Sequence, residues 1–391
     1  TLYWRALHPL SVEYSVGVHL VDELGRRYGQ QDSFHPADYP TTRWLPGEYA
    51  RDVHRLALAP GTPPGRYSLL VTVYDARSGR RLPVRNRPDL PPGGMFPLAE
   101  VAIEPAGEQP SVASLRIERA LNWQPVASLA LLGVNGPPEE VAVGGALPLT
   151  FFWEATDAPD ANYRARLRLI AETGETVAAM AWTPGRESYP TSRWEAGSRL
   201  RDDRALLVPA VVAGQNNSAV ESGRYRLLLE LMDGEGQAAG EALELSAVTV
   251  EAPVRTFDLP IAASATSAQF GELATLAGYT LSAGEIRPGE ELSLALYWRA
   301  EGTTATGYTV FVHLVGPDGE IVAQRDQPPA GGSRPTTGWL PGEIIADEYS
   351  LTVPAGAPPG LYRLRVGIYD PAAGERLPAG GTNVPAGDHF F

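Results

Sequence analysis

The sequence predicts an all-β protein built from tandem sandwich domains, and three observations carry that prediction: the chain repeats itself, its apolar residues alternate along short runs, and glycine and proline punctuate it throughout. With 391 residues it is too long for one hydrophobic core and falls in the range of two to four domains. Its 41 Gly and 36 Pro exceed what a helical protein tolerates and point to many turns.

The repeats fix the architecture. Leu2–Ala6 (LYWRA) returns at Leu296–Ala300, and Tyr14–Val21 (YSVGVHLV) returns as YTVFVHLV at Tyr308–Val315. Tyr39–Glu48 (YPTTRWLPGE) matches Arg334–Glu343 (RPTTGWLPGE), and Pro63–Pro83 matches Pro358–Pro378. A diverged copy lies between them, at Phe151–Ala155, Tyr163–Ile170, Tyr189–Trp194 and Ser222–Asp233. Proline-rich polar stretches at 105–110 and 252–260 read as linkers, which divides the chain at 1–107, 108–253 and 254–391. Thr275–Ala300 supplies an opening strand, a Pro-Gly turn and a second strand, so the first repeat is expected to lack its opening strands. Phe96–Pro105 closes the first repeat, and the third is expected to lack that final strand. Two explanations for these open ends are a protein that continues on both sides and strands donated by another chain.

Alternation assigns the faces. Leu292, Leu294, Leu296 and Trp298 share one face of a strand and are expected to line a core, as are Tyr308, Val310, Val312 and Leu314, their counterparts Tyr14, Val16, Val18 and Leu20, and Tyr163, Ala165, Leu167 and Leu169. In the middle repeat the opposite positions are Arg164, Arg166 and Arg168, which are too costly to bury unpaired, so this outer face is expected to reach water, with His19 and His313 on it in the other repeats. Pro-Pro-Gly-x-Tyr introduces another long alternating strand at Tyr67 and Tyr362, and such an entry resembles the tyrosine corner of Greek-key sandwiches. The expected fold is therefore three immunoglobulin-like, Greek-key antiparallel β-sandwiches, the first and last incomplete.

Charge and composition exclude several functions. The net charge of -14 opposes a nucleic-acid surface, which needs concentrated positive charge. Cysteine is absent, which removes disulfides and thiolate chemistry. No apolar run is long enough to cross a bilayer, so no membrane insertion is expected of this segment. Every basic residue is arginine, and with the Ala, Gly and Pro bias this suggests a GC-rich genome and a thermophile.

The candidate site residues are few. Trp44, Trp194 and Trp339 recur after Pro-Thr-x-x and are read either as sugar-stacking platforms or as plugs at the sandwich end. His19 and His313, Gln30 and Gln324, and Asp32 and Asp326 are shared by the outer repeats and lost from the middle one, which reads as a polar ligand-binding patch or as ordinary surface bonding. Asp52, Asp202 and Asp347 follow the Trp turn, and Asp157, Asp160 and Asn162 cluster in a loop, but their spacing does not match a calcium loop and the histidines show no zinc spacing, so no metal or other cofactor is expected. No nucleophile elbow, phosphate loop or paired-carboxylate pattern stands out, so no catalytic residue is assigned. Asn216-Asn217-Ser218 satisfies a glycosylation sequon and reads as a surface loop.

Taken together, LYWRA, VHLV, Gln-x-Asp, Pro-Thr-Thr-x-Trp-Leu-Pro-Gly-Glu, Pro-Pro-Gly-x-Tyr-x-Leu and Tyr-Asp with Gly-x-Arg-Leu-Pro resemble the soluble tail modules of family-39-like bacterial membrane glycosyltransferases and similar units of surface proteins. The resemblance covers most of the first and third repeats and the frame of the second. It implies an extracytoplasmic module and carries over no catalytic residue, because those transferases keep their catalytic acids in the membrane part. The functional expectation is a non-enzymatic spacer, scaffold or assembly unit at the cell surface or in the periplasm, partnered by neighbouring domains. Alternatives are a carbohydrate-binding module using the outer faces of repeats one and three, and a filament subunit joined by strand exchange through open edges.

Overall fold

The structure, a computed structural model, describes residues 1–85, 87, 90, 95–212, 214 and 218–381. Its elements are strands joined by turns, with short 3-10 segments and, among the described residues, no helix long and apolar enough to cross a membrane. The first segment contributes β1 (Leu2–Arg5), β2 (Tyr14–Val21), β3 (Arg27–Ser33), β4 (Tyr49–Asp52), β5 (Gly65–Asp75) and β6 (Met95–Ile103). The second contributes β7 (Arg119–Val126), β8 (Leu129–Asn135), β9 (Glu140–Ala142), β10 (Ala146–Ala155), β11 (Arg164–Ala171), β12 (Thr176–Trp182), β13 (Arg199–Leu207), β14 (Gly223–Met232) and β15 (Leu243–Glu251). The third contributes β16 (Ser264–Phe270), β17 (Ala274–Leu281), β18 (Glu291–Ala300), β19 (Thr309–Val315), β20 (Ile321–Gln327), β21 (Ile344–Thr352), β22 (Arg363–Tyr369) and β23 (Ala379–Gly381).

Each segment folds into two sheets, and no ladder among the described residues runs from one segment to another. The middle segment pairs β13-β10-β8-β7 against β12-β11-β14-β15-β9, and the third pairs β21-β18-β17-β16-β23 against β20-β19-β22. The first has β3-β2-β5-β6 and only the pair β1-β4. All ladders are antiparallel except β9 with β15.

The alternating residues meet between the sheets as their period demands. Leu131, Phe151 and Trp153 face Leu167, Leu227 and Leu229 in the middle core, and Leu294, Leu296 and Trp298 join Val310, Val312 and Ile368 in the third. In the first segment the core breaks into small clusters, because β1 and β4 cover only part of the facing sheet. The tyrosine corner is present in every repeat: the hydroxyls of Tyr67, Tyr225 and Tyr362 donate to the carbonyls of Pro63, Glu221 and Pro358 at 2.6, 2.8 and 2.7 Å. The expected absence of a final strand in the third repeat concerns residues 382–391, which lie outside those described, as do Asn216 and Asn217 of the sequon.

The Pro-Thr-x-x-Trp motif ties the two sheets of each repeat together. Thr41, Thr191 and Thr336 each open a 3-10 turn. Their hydroxyls accept from the backbone N–H of Tyr14, Tyr163 and Tyr308 at 2.8, 2.9 and 2.9 Å and donate to the carbonyls of Val12, Ala161 and Thr306. The tryptophan that follows is driven into the sandwich end: Trp44, Trp194 and Trp339 are all buried, with Trp194 and Trp339 donating their indole N–H to the carbonyls of Tyr189 and Arg334.

The expectation that the outer face reaches water needs correction. On β2, Ser15, Gly17, His19 and Val21 are buried, and on β19 Thr309, Phe311 and Val315 are buried with His313 half-buried. The chain after β5 and β22 folds back here, bridging Tyr74 with Arg81 and Tyr369 with Arg376, and Arg376 lies 4.8 Å from the centre of the Phe311 ring. In the middle repeat, where Met232 bridges to Ala238 in the same way, Arg164 is exposed and the half-buried Arg166 and Arg168 are paired with Glu230 rather than left alone.

Successive repeats touch through loops. Arg186, nearly fully buried, leaves the middle repeat to pair with Glu23, donates to the Arg66 carbonyl at 2.8 Å and lies 4.5 Å from the centre of the Tyr67 ring. Arg26 reaches the other way to the Asp203 carbonyl at 3.0 Å, and the Arg201 N–H donates to the Gly61 carbonyl at 2.7 Å. Between the middle and third repeats, Thr337 donates to the Gly144 carbonyl at 2.6 Å. Gly144 has φ +86°, and a Cβ there would lie 2.6 Å from the Gly338 backbone, so this approach requires glycine. Arg255 and Arg334 both pair with the buried Glu343 at this junction.

Candidate functional site

Strand register places the shared polar residues of the outer repeats side by side. On β2 and β3, His19 stands opposite Gln30 and Gly17 opposite Asp32, while Ser15 stands opposite Tyr74 on β5. On β19, β20 and β22 the corresponding pairs are His313 with Gln324, Phe311 with Asp326 and Thr309 with Tyr369. Tyr74 donates to Asp32 at 3.3 Å and Tyr369 to Asp326 at 3.3 Å, and Gln30 donates to Asp32. His313 Nε2 lies 3.7 Å from Asp326 Oδ1, and its ring is 4.7 Å from that of Phe311.

The same register in the middle repeat shows the whole group exchanged. Arg168 stands opposite Ala179 and Arg166 opposite Ala181; Arg164 faces Met232, which bridges to Ala238. Histidine, glutamine, aspartate, tyrosine and arginine thus become Arg168, Ala179, Ala181, Met232 and Ala238 as a set. Tyr74, Tyr369, Arg81 and Arg376 belong to the recurring Tyr-Asp and Gly-x-Arg-Leu-Pro strings, but the sequence alone does not place them in the polar patch. Comparing the aligned Tyr-Asp and Met-Asp strings, and the Arg-Leu-Pro that follows only the former, would have found them.

Electrostatics defines what the cluster can do. Burial holds the His19 imidazole below its ordinary pKa, with Arg27 and Arg81 acting in the same direction and Asp32 against. Burial and the neighbouring Asp326 push the Tyr369 phenol up to about 12, and burial and Asp32 raise Tyr74. Both phenols stay protonated at neutral pH and act as hydrogen-bond donors to Asp32 and Asp326. In the first repeat the centre of the cluster is Gly17, over which Asp32 and His19 lean, whereas Phe311 fills that place in the third.

The other sequence candidates have structural partners. A fully buried indole has no free face for a sugar ring, so Trp339 and Trp194 act as plugs, and Trp44, 9% exposed, sits in the same position. Asp52, Asp202 and Asp347 are buried and each accepts an indole N–H, from Trp4 at 3.1 Å, Trp153 at 3.2 Å and Trp298 at 3.2 Å. Asp157, Asp160 and Asn162 accept from Ala158, Tyr163 and Ser192 within their own loop region, and no group of three or more metal-ligating residues gathers among the described residues.

The sequence matches no protein-family model and none of the curated proteins with which it was compared.

Proposed function

We propose that the chain is a non-enzymatic spacer or scaffold module of a larger surface or membrane-anchored protein. The observation that carries this reading is the pair of polar junctions. A spacer must transmit orientation, and Arg186 is nearly fully buried in a neighbouring repeat, where it pairs with Glu23 and stacks on Tyr67. Thr337 and Gly144 bring two backbones into direct contact at the next junction. Inter-domain motion is the default where interfaces are small and polar, and buried, directional contacts of this kind oppose it. The extracytoplasmic setting rests on the resemblance to transferase tail modules. Small-angle scattering tests the reading. The intact chain should scatter as one stiff particle, and Arg186→Ala together with Thr337→Val should broaden its distance distribution. Independent tumbling of the repeats in the unsubstituted chain would refute it.

A second reading, carbohydrate binding by the outer repeats, is favoured by one observation: the five polar positions are kept or exchanged as a unit. It uses the His, Gln, Asp, Tyr and Arg side chains rather than the buried tryptophans. A glycan array decides it, with signal lost on alanine replacement of His313, Gln324 and Asp326, and an unchanged signal removing it.

A further inference from the structure

The polar faces of the two outer repeats differ in charge. After β5 the chain carries Arg77, Arg80, Arg81, Arg85 and Arg87 within 76–88 and no Asp or Glu, whereas the aligned stretch of the third repeat, 371–383, holds one Arg and one Glu. In a chain of net charge -14 this is a local reversal of sign.

Strand register brings two arginines to opposite ends of the polar patch. Arg81 bridges to Tyr74, which stands opposite Ser15 on β2, and Arg27 stands opposite Val21 at the far end of the same strand. A strand rises about 3.3 Å per residue, so these two positions are roughly 20 Å apart along β2. Between them Gln30 is exposed, Asp32 and Tyr74 are half-buried, and His19 lies beneath. Both arginines act on the His19 imidazole, which places the patch inside their shared field.

Neither guanidinium is spent inside the fold. Arg27 and Arg81 are exposed, and neither makes a salt bridge among the described residues. In the third repeat the counterpart Arg376 rests 4.8 Å from the Phe311 ring, but the aligned position of the first repeat is Gly17, where even a Cβ would lie 2.7 Å from Asp32 Oδ1. Arg81 therefore has no ring to rest on. The one carboxylate of the patch is already engaged, since Asp32 Oδ1 accepts from Tyr74 at 3.3 Å and Oδ2 accepts from Gln30. Gln30 uses its amide nitrogen in that bond and keeps its carbonyl oxygen as an acceptor.

The surface thus offers charged donors at both ends and an acceptor in the middle. A plain polyanion has nothing to give the acceptor, whereas a sugar chain bearing carboxylate or sulfate groups supplies hydroxyl donors as well as anionic partners for the arginines. We propose that the outer face of the first repeat binds an acidic polysaccharide, with Arg27 and Arg81 pairing to its anionic groups and Gln30 accepting a sugar hydroxyl. This rests on the carbohydrate-binding reading above and assigns the ligand class of its first site.

Calorimetric titration of the intact chain with polygalacturonate, dextran sulfate, neutral dextran and polyglutamate tests it. Binding of one or both acidic polysaccharides is expected, weakening as salt is added, and Arg27→Gln with Arg81→Gln should reduce it at least about tenfold without changing the melting temperature. Removing the same charge on the facing sheet, by Arg5→Gln with Arg51→Gln, should leave binding in place. Equal binding of polyglutamate, or an equal loss in the Arg5 and Arg51 variant, would mean that charge alone is read and would overturn the proposal. Neutral dextran bound as tightly as the acidic chains, with no effect of Arg27 and Arg81, would overturn it while sparing the carbohydrate reading. No signal from any glycan, here or on the array, would remove both.

Discussion

The indole N–H of Trp298 donates to Asp347 Oδ2 at 3.2 Å across the buried sheet of the third repeat, and the hydroxyl of Tyr349 donates to the same oxygen at 2.7 Å. The other oxygen accepts the backbone N–H of Ala330 at 2.8 Å. Burial raises the pKa of this carboxyl, and the hydrogen bonds oppose the shift without cancelling it. Asp347→Ala would strand three donors inside the sandwich, and breaking such a group costs about 2–5 kcal/mol. Asp347→Asn keeps an acceptor and should cost less. Urea unfolding of both variants checks the order, and an alanine variant as stable as the unsubstituted chain would show that the pair is dispensable.

Asp202 gives a pH dependence of known sign. Burial pushes its carboxyl up to about 6 from 3.8, despite opposing contributions from Arg204, Trp182 and Arg26. A carboxyl raised on folding binds protons more readily in the native state, so its contribution to stability is full below the unfolded value and is lost as pH rises through about 6. The difference in unfolding free energy between the unsubstituted chain and Asp202→Asn should therefore fall between pH 4 and pH 7, by roughly 1–3 kcal/mol. Denaturant titrations across that range measure it. A difference that grows with pH would mean that Arg204 and Arg26 dominate and hold the carboxylate charged.

Much of this fold was legible in advance because strand alternation is local. Leu292 to Trp298 and Tyr163 to Leu169 read inward from period alone and are found inward. The fate of the opposite face was not legible, since it depends on Arg81 and Arg376 returning over β2 and β19 from the chain that follows β5 and β22. The Trp–Asp pairs were missed for a similar reason. Asp52, Asp202 and Asp347 were visible as a recurring position, but their partners Trp4, Trp153 and Trp298 are distant in sequence and meet them diagonally across a ladder.

The threonine clamp predicts a modest, graded loss. Thr191 receives the Tyr163 N–H and donates to the Ala161 carbonyl, and it is fully buried. Thr191→Val preserves volume but leaves both backbone groups without their partner, which costs about 1–3 kcal/mol. Thr191→Ser restores the hydroxyl and should recover most of that loss. Thermal melts that rank valine equal to serine would assign the position to packing instead.

The polar cluster of the outer repeats predicts the opposite of a structural role. Asp326 keeps a third of its side-chain surface, and its separation of 3.7 Å from His313 makes a weak, solvent-screened pair. The middle repeat holds the same strand register with Arg168, Ala179 and Ala181 in place of histidine, glutamine and aspartate. Replacing His313, Gln324 and Asp326 together by alanine should therefore change the unfolding free energy by about 1 kcal/mol or less. Chemical denaturation of the triple variant gives the number. A loss above about 3 kcal/mol would match the range for broken buried networks, and it would remove the reason for treating these residues as a ligand site.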